Sequence, residues 1–249
     1  MTADRLRVEA STLGGVCLLT VVGTLDSSTY LELRDSVIKA AFYEPPAVLV
    51  DVSCLHVPAP SAWSAFSSAR WYVSVWPEIP ILLICGRTDV AAQITKAGVT
   101  QHVPAHLTVE SALGSLGRFK PIRQRIRTEL PRRLSSLHYS REFVAEWLSK
   151  WSLDQLIPTA KVVIDVLVEN VLRHTQSPPT VLLENSDSGV TIAVQDSNNA
   201  PAVLHETAAG GADRTSGLAV ISALCRAWGS TPAPTGKAVW AVLGSENRL

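Results

Sequence analysis

The sequence predicts two successive α/β-type domains, a layered βα fold over residues 1–118 and an α+β sandwich over residues 119–249. Three observations carry that expectation. In the first half, strand-length apolar runs alternate with segments of helical periodicity, the order of an α/β layer structure with a largely buried sheet. A basic stretch follows, in which Arg118, Lys120, Arg123, Arg125, Arg127, Arg132 and Arg133 crowd around Pro121 and Pro131. Beyond it the rhythm changes to two helices, a hairpin, a glycine- and alanine-rich loop, a helix and a last strand. With 249 residues the chain is long enough for two cores of ordinary size.

Each element follows from a local signal. Residues 8–9 and 16–23 form an initial pair of strands. Residues 27–41 carry Tyr30, Leu33, Val37 and Ala41 at helical spacing, with Ser27 or Ser28 as the cap. Residues 47–52 are a continuous apolar strand closed by Asp51 and Ser53. A proline-punctuated loop at 57–61 leads into a helix at 62–76, then a strand at 80–85 and a helix at 90–97. A short apolar segment at His102 and Val103 precedes a helix at 109–116. In the second half, residues 142–151 are an amphipathic helix with Phe143, Val144, Trp147 and Leu148 as its stripe. Residues 159–174 are a second helix. Strands at 180–184 and 190–195 are joined by the turn at 185–189, a hairpin signal. The loop Ala208-Ala209-Gly210-Gly211-Ala212 leads to a helix at 217–227, and Gly236-Lys237 turns into a strand at 238–243.

Composition narrows the class. Lys plus Arg and Asp plus Glu balance at 22 each, so no bulk charge drives the chain toward nucleic acid or an anionic membrane. The local basic stretch reads as a linker and the exposed face of an edge strand rather than a nucleic-acid arm. Apolar runs fall far short of the ~20 residues of a membrane span, and the start lacks a signal-peptide core. Cys17, Cys54, Cys85 and Cys225 are scattered without a CxxC pair. They read as reduced, buried small hydrophobes, with the cytosol as the expected compartment.

The apolar helix around residues 162–174 carries the densest functional signal. Val166, Asn170 and His174 lie four apart, so they share one face. A polar Asn and His on a core helix need partners, because an unpaired buried polar group costs roughly 1–3 kcal/mol. Asp165 and Glu169 lie about 100° round the helix from the Val166 and Asn170 positions respectively. With Asp196, Gly217, Ala227-Trp228-Gly229 and Gly236-Lys237-Ala238-Val239-Trp240, the set resembles the GHKL (Bergerat-fold) ATP-binding domain. The similarity is to the small anti-sigma-factor serine kinase branch common in actinobacteria, and it spans about residues 123–244. It implies that Asn170 ligates Mg²⁺ against a triphosphate and that Asp196 accepts from the adenine amine. It assigns a nucleotide contact to His174 too. Gly210, Gly211 and Gly217 would let backbone N–H groups approach phosphate at a helix N-terminus. The family's general-base Glu falls on Val166, which accepts no proton. Ser197-Asn198-Asn199 stand where it has glycines, and Thr215-Ser216 stand before Gly217 where it would usually have one. A positioned base contributes roughly 10²–10⁴-fold, so the implied expectation is ATP or ADP binding with a degenerate phosphotransfer site.

In the first half, Gly23-Thr24-Leu25-Asp26, the helix after it and Val48-Leu49-Val50-Asp51-Val52-Ser53 resemble a STAS domain, the anti-sigma-factor antagonist fold, over about residues 7–116. That family has an Asp-Ser-Ser-Gly segment whose first Ser is the phosphoacceptor. Here the segment is Ala59-Pro60-Ser61-Ala62, with Pro60 at the acceptor position. Ser61 reads either as the N-cap of the following helix or as a relocated phosphosite. Trp63, Phe66, Trp71, Tyr72 and Trp76 read mostly as core, with Trp63 or Trp71 as candidates for a partner surface.

The two resemblances together imply a cytosolic partner-switching regulator of transcription. Its implied partners are a STAS protein, an anti-sigma factor or a sigma factor, and the kinase branch often forms homodimers. Two alternatives stand beside it: an active serine protein kinase acting on a separate STAS protein, and a nucleotide-free scaffold.

Overall fold

The computed structural model describes residues 5–118, 123–187, 189–200, 202 and 217–248. The chain divides into two compact units, Met1–Lys120 and Pro121–Leu249.

The first unit is built on a five-stranded sheet in the order β1-β2-β3-β4-β5. Strands β1 (Arg7–Leu13) and β2 (Val16–Thr24) form an antiparallel hairpin around Gly14 and Gly15. From β2 onward the pairing is parallel, through β3 (Val48–His56), β4 (Ile81–Ile84) and the two-residue β5 (Ala105–His106). Helices α1 (Tyr30–Phe42), α2 (Ser64–Val73) and α3 (Thr88–Lys96) supply the crossovers, and α4 (Val109–Ser115) follows the last strand. Leu33, Val37 and Ile38 of α1 and Phe66, Ala69 and Val73 of α2 close over Val48, Val50 and Leu83. Leu49, Leu82 and Ile84 point to the opposite face, where Ala112 of α4 covers them. Burial on both faces explains why β3 and β4 read as unbroken apolar runs.

Three local expectations are corrected. Helix α1 starts at Tyr30, and neither Ser27 nor Ser28 caps it. Instead the Asp26 carboxylate accepts from the Ser28 and Thr29 N–H groups and from the Ser28 hydroxyl. These bonds hold the Asp26 carboxyl below the usual carboxylate range. Ser61 is not an N-cap, because the chain passes it within a 3₁₀ turn at Pro60–Trp63 before α2 begins. A proline fixes φ near the helical value without donating, which suits the first position of such a turn. The cysteines also differ. Cys85 is buried, Cys17 and Cys225 are half-buried, and Cys54 is exposed because its side chain leaves the sheet near the end of β3. Burial pushes the Cys225 thiol up to about 12. At pH 8 its thiolate fraction is therefore about one in ten thousand. Iodoacetamide followed by peptide mass spectrometry should label Cys54 first and leave Cys225 unmodified in the folded chain.

The second unit is an antiparallel sheet in the order β6-β7-β8-β10-β9, with helices packed against one face. Its elements are β6 (Gln124–Glu129), α5 (Ser135–Lys150), α6 (Ile157–His174), β7 (Thr180–Ser186), β8 (Gly189–Asp196), α7 (Gly217–Leu224), β9 (Ala227–Pro232) and β10 (Lys237–Leu243). Val144 and Leu148 of α5 and Val163, Ile164, Leu167 and Val171 of α6 pack on Val181, Leu183, Ile192 and Val194 of the sheet. The helix expected at 217–227 stops at Leu224, and Ala227–Pro232 is an edge strand instead. Its Gly, Ser and Pro carry little strand propensity. Pairing with β10 determines its state, and an edge position tolerates the proline.

Four arginines of the basic stretch find partners within this unit. Arg123 and Arg125 both reach buried Glu184, Arg127 donates to the Gln195 side chain at 2.7 Å, and Arg132 donates to the Leu172 and Thr175 carbonyls, both at 3.1 Å. The last contact satisfies carbonyls at the end of α6 that no helix turn follows. Among the described residues, no helix is long and apolar enough to cross a membrane.

Candidate functional site

Helix α6 exists because Val163, Ile164, Leu167, Val168 and Val171 repeat at helical spacing and are buried against the sheet. That packing turns Val166 and Asn170 toward the rim of the core, where both are half-buried. The start of α7 lies directly on them. A Cβ built on Gly217 would be 2.8 Å from Val166 Cγ1 and 3.8 Å from Asn170 Oδ1. Gly217 thus lets the α7 backbone approach the α6 face more closely than any side chain would allow. The Asn170 amide has no hydrogen-bond partner among the described residues. His174, expected along the same face, is exposed in the last turn of α6, with no partner among the described residues either.

The two carboxylates adjoining Val166 and Asn170 in sequence are both engaged. Asp165 pairs with Arg141 of α5 at 2.8 Å, and Glu169 pairs with Arg173 one turn on at 2.6 Å. Neither is turned to the Val166–Asn170 face. The structure thus brings together Val166, Asn170 and Gly217, with no carboxylate base on that face among the described residues.

Asp196 ends β8 directly opposite Lys237, the first residue of β10. Both are buried, at 5% and 8% exposure. Lys237 Nζ donates to Asp196 Oδ1 and lies 3.1 Å from each carboxylate oxygen, and it also donates to the Asn198 carbonyl at 3.2 Å. The Asn198 N–H donates to Asp196 Oδ1 at 2.7 Å. Side chains hold this loop: Ser177 Oγ, from the segment before β7, accepts from the Ser197 N–H, and Asn198 Oδ1 accepts from the Ala200 N–H. Sequence reasoning placed Asp196 at the site but missed Lys237 as its partner. The signal lies in strand register, which faces the two ends of neighbouring strands. Gly210 and Gly211 lie outside the described residues.

A carboxylate offers about four acceptor positions. Two on Asp196 are used, both on Oδ1, by Lys237 and Asn198, so Oδ2, 3.1 Å from Lys237 Nζ, keeps acceptor capacity for a further donor. Asn170 offers a single amide oxygen. A Mg²⁺ there would keep several waters and be held mainly through phosphates. No cluster of three or more His, Cys, Asp or Glu able to hold a metal occurs among the described residues.

In the first unit, Ser61 is exposed, and its hydroxyl has no hydrogen-bond partner among the described residues. Trp63, Phe66 and Trp76 are buried, whereas Trp71 is 78% exposed and Leu31 is 56% exposed. The aromatic set is thus core at Trp63, Phe66 and Trp76, with Trp71 and Tyr72 left exposed, so Trp63 is not available as a partner surface.

Comparison with protein-family models and with curated proteins gives no match. Among solved structures, the chain is similar to an anti-sigma factor antagonist from Mycobacterium paratuberculosis, with 18% identity, a TM-score of 0.40, and coverage of 46% of this chain and 96% of that one. It is also similar to a Moorella thermoacetica RsbS variant, at 17% identity and a TM-score of 0.37, covering 45% of this chain and 95% of that one. A third similarity is to the anti-sigma factor antagonist SpoIIAA in its unphosphorylated form, at 12% identity and a TM-score of 0.36, covering 46% of this chain and 99% of that one.

Proposed function

We propose that this chain is a partner-switching regulator whose second unit binds ATP or ADP with Mg²⁺ and transfers no phosphate. The observation that carries the reading is the α6 face. Val166 stands one turn before Asn170, where a phosphotransfer enzyme needs a base, and Asp165 and Glu169 are both held in ion pairs elsewhere. Asn170 would contact the metal and Asp196 Oδ2 the adenine amine. Bound Mg²⁺–nucleotide would supply negative charge and bulk on this face, and with no base among the described residues to accept a serine proton it would act as a ligand. Binding then shifts the population of partner-competent conformations. Partners of the anti-sigma-factor, STAS or sigma-factor kind, and self-association, follow from the sequence resemblances, with exposed Trp71 as an anchor and Ser61 as an acceptor for an outside kinase.

One observation favours a second reading, a nucleotide-free scaffold. The Asp196–Lys237 pair is complete without a ligand. Isothermal titration of ATP and ADP, with and without Mg²⁺, separates the two. Saturable binding that weakens about tenfold or more in Asn170→Ala and Asp196→Asn is expected, a loss of at least ~1.4 kcal/mol. No measurable binding to the wild-type chain would favour the scaffold. Radiolabel transfer from ATP to a STAS substrate, abolished by Asn170→Ala, would instead establish an active kinase.

A further inference from the structure

We infer that the first unit carries a second ligand site, for a small organic anion, between α2 and the β4–β5 edge of its sheet. A cavity of about 500 Å³ opens there, within the size range of small-molecule pockets. Its lining combines an apolar wall, including Ile81 and Leu82, with Arg70, His102, His106 and Ser115. None of the described residues lining it is acidic.

The charge at this place is uncompensated. Arg70 projects from the last turn of α2, and its Nη1 is buried with no hydrogen-bond partner among the described residues. Buried guanidinium nitrogens are ordinarily paired, because a desolvated donor without an acceptor is costly. A guanidinium fork matches carboxylate and phosphate oxygens in pairs, so an anion is the ligand class that completes it.

The histidines divide their roles. Ser115 Oγ gives its own hydrogen to the Ala112 carbonyl at 2.6 Å, so it faces His106 Nε2, 3.4 Å away, as an acceptor. Ser111 Oγ lies 3.1 Å from Nδ1 of the same ring. His106 is therefore held as a fixed wall. His102 is exposed and has no partner among the described residues, so its ring is free to donate to a ligand at the mouth. Arg70 inside, His102 at the rim and an apolar wall between them describe a site for a carboxylate or phosphate head with a short apolar body.

The test is NMR of the imidazole resonances of His102 and His106 in the full chain, titrated separately with inorganic phosphate and with butyrate. A saturable shift with at least one anion is expected, and the anion that saturates identifies the head group. Arg70→Met, which keeps the stem and removes the fork, should weaken binding about tenfold or more. Absence of a saturable shift with both anions, or unchanged affinity in Arg70→Met, overturns the site. If Arg70→Met fails to fold, His102→Gln at the exposed rim carries the same decision: several-fold weaker binding supports the site, and unchanged affinity overturns it.

Discussion

Replacing Gly236 with Ala should unfold the sheet of the second unit, with a loss of about 4 kcal/mol or more. Gly236 has φ +81, a conformation that L side chains rarely adopt. Backbone strain alone costs roughly 1–2 kcal/mol. The larger share comes from overlap. A Cβ at this position would fall onto the Asp196 carbonyl oxygen and the Ser197 backbone. These are main-chain atoms, and they cannot step aside. Lys237 pairs in register with Asp196 on one side and Pro232 on the other, and the Ala233 N–H donates to the Gly236 carbonyl at 3.0 Å. Moving Gly236 would therefore separate β10 from β8 or β9. Native-state hydrogen exchange reads the second unit directly, without assuming that both units unfold together. Amide protection in β8 and β10 should collapse in Gly236→Ala, and wild-type protection there would refute the argument.

Asp196→Ala should cost about 3–5 kcal/mol, because it strands a buried ammonium. Lys237 is 8% exposed, and with the carboxylate gone it keeps only the Asn198 carbonyl as partner. Lys237→Met alone should cost less, since the Asn198 N–H still donates to Asp196. In the double variant Asp196→Leu with Lys237→Met, both charges are replaced by apolar groups of similar reach. Such replacements are often neutral. Completed with the single variant Asp196→Leu, the cycle should therefore show strong coupling, with the double variant closer to wild type than Asp196→Leu. Exchange protection of β8 and β10 again provides the measure. Additive losses would mean that the two groups do not act as a pair. The cycle also bears on function, since it measures the structural part of Asp196 apart from the ligand contact proposed for it.

The parts of the fold that were legible share a physical origin. Helix α6 and strands β3, β4 and β8 are dense in apolar residues at one period, so burial and local preference agree. Strand β9 was not legible, because Ala227-Trp228-Gly229-Ser230 has no strand pattern of its own. Trp240 packs its ring on Gly229 and donates to the Thr231 hydroxyl at 2.8 Å, contacts that only the neighbouring strand supplies. The start of α1 shows the same contrast on a smaller scale. Serines next to a helix are good caps in general, yet here the carboxylate of Asp26 holds the turn before the helix by reaching two amides at once.

For the site, the sequence by itself determined what cannot happen on the α6 face. Val166 carries no basic atom in any conformation, and the 3.6-residue period keeps Asp165 and Glu169 off that face. The partners of the polar residues were decided only by tertiary structure. Lys237 and Asp196 are far apart in the chain and meet because β8 and β10 pair in register. Gly217 became a contact because α7 rests on Val166 and Asn170. Arg70 Nη1 lost its solvent without gaining a partner among the described residues because α2 carries it to the cavity at the sheet edge. The physical reason is common to all three. Periodicity is a property of neighbouring residues, whereas the pairing of a buried charge depends on which distant backbone folds beside it.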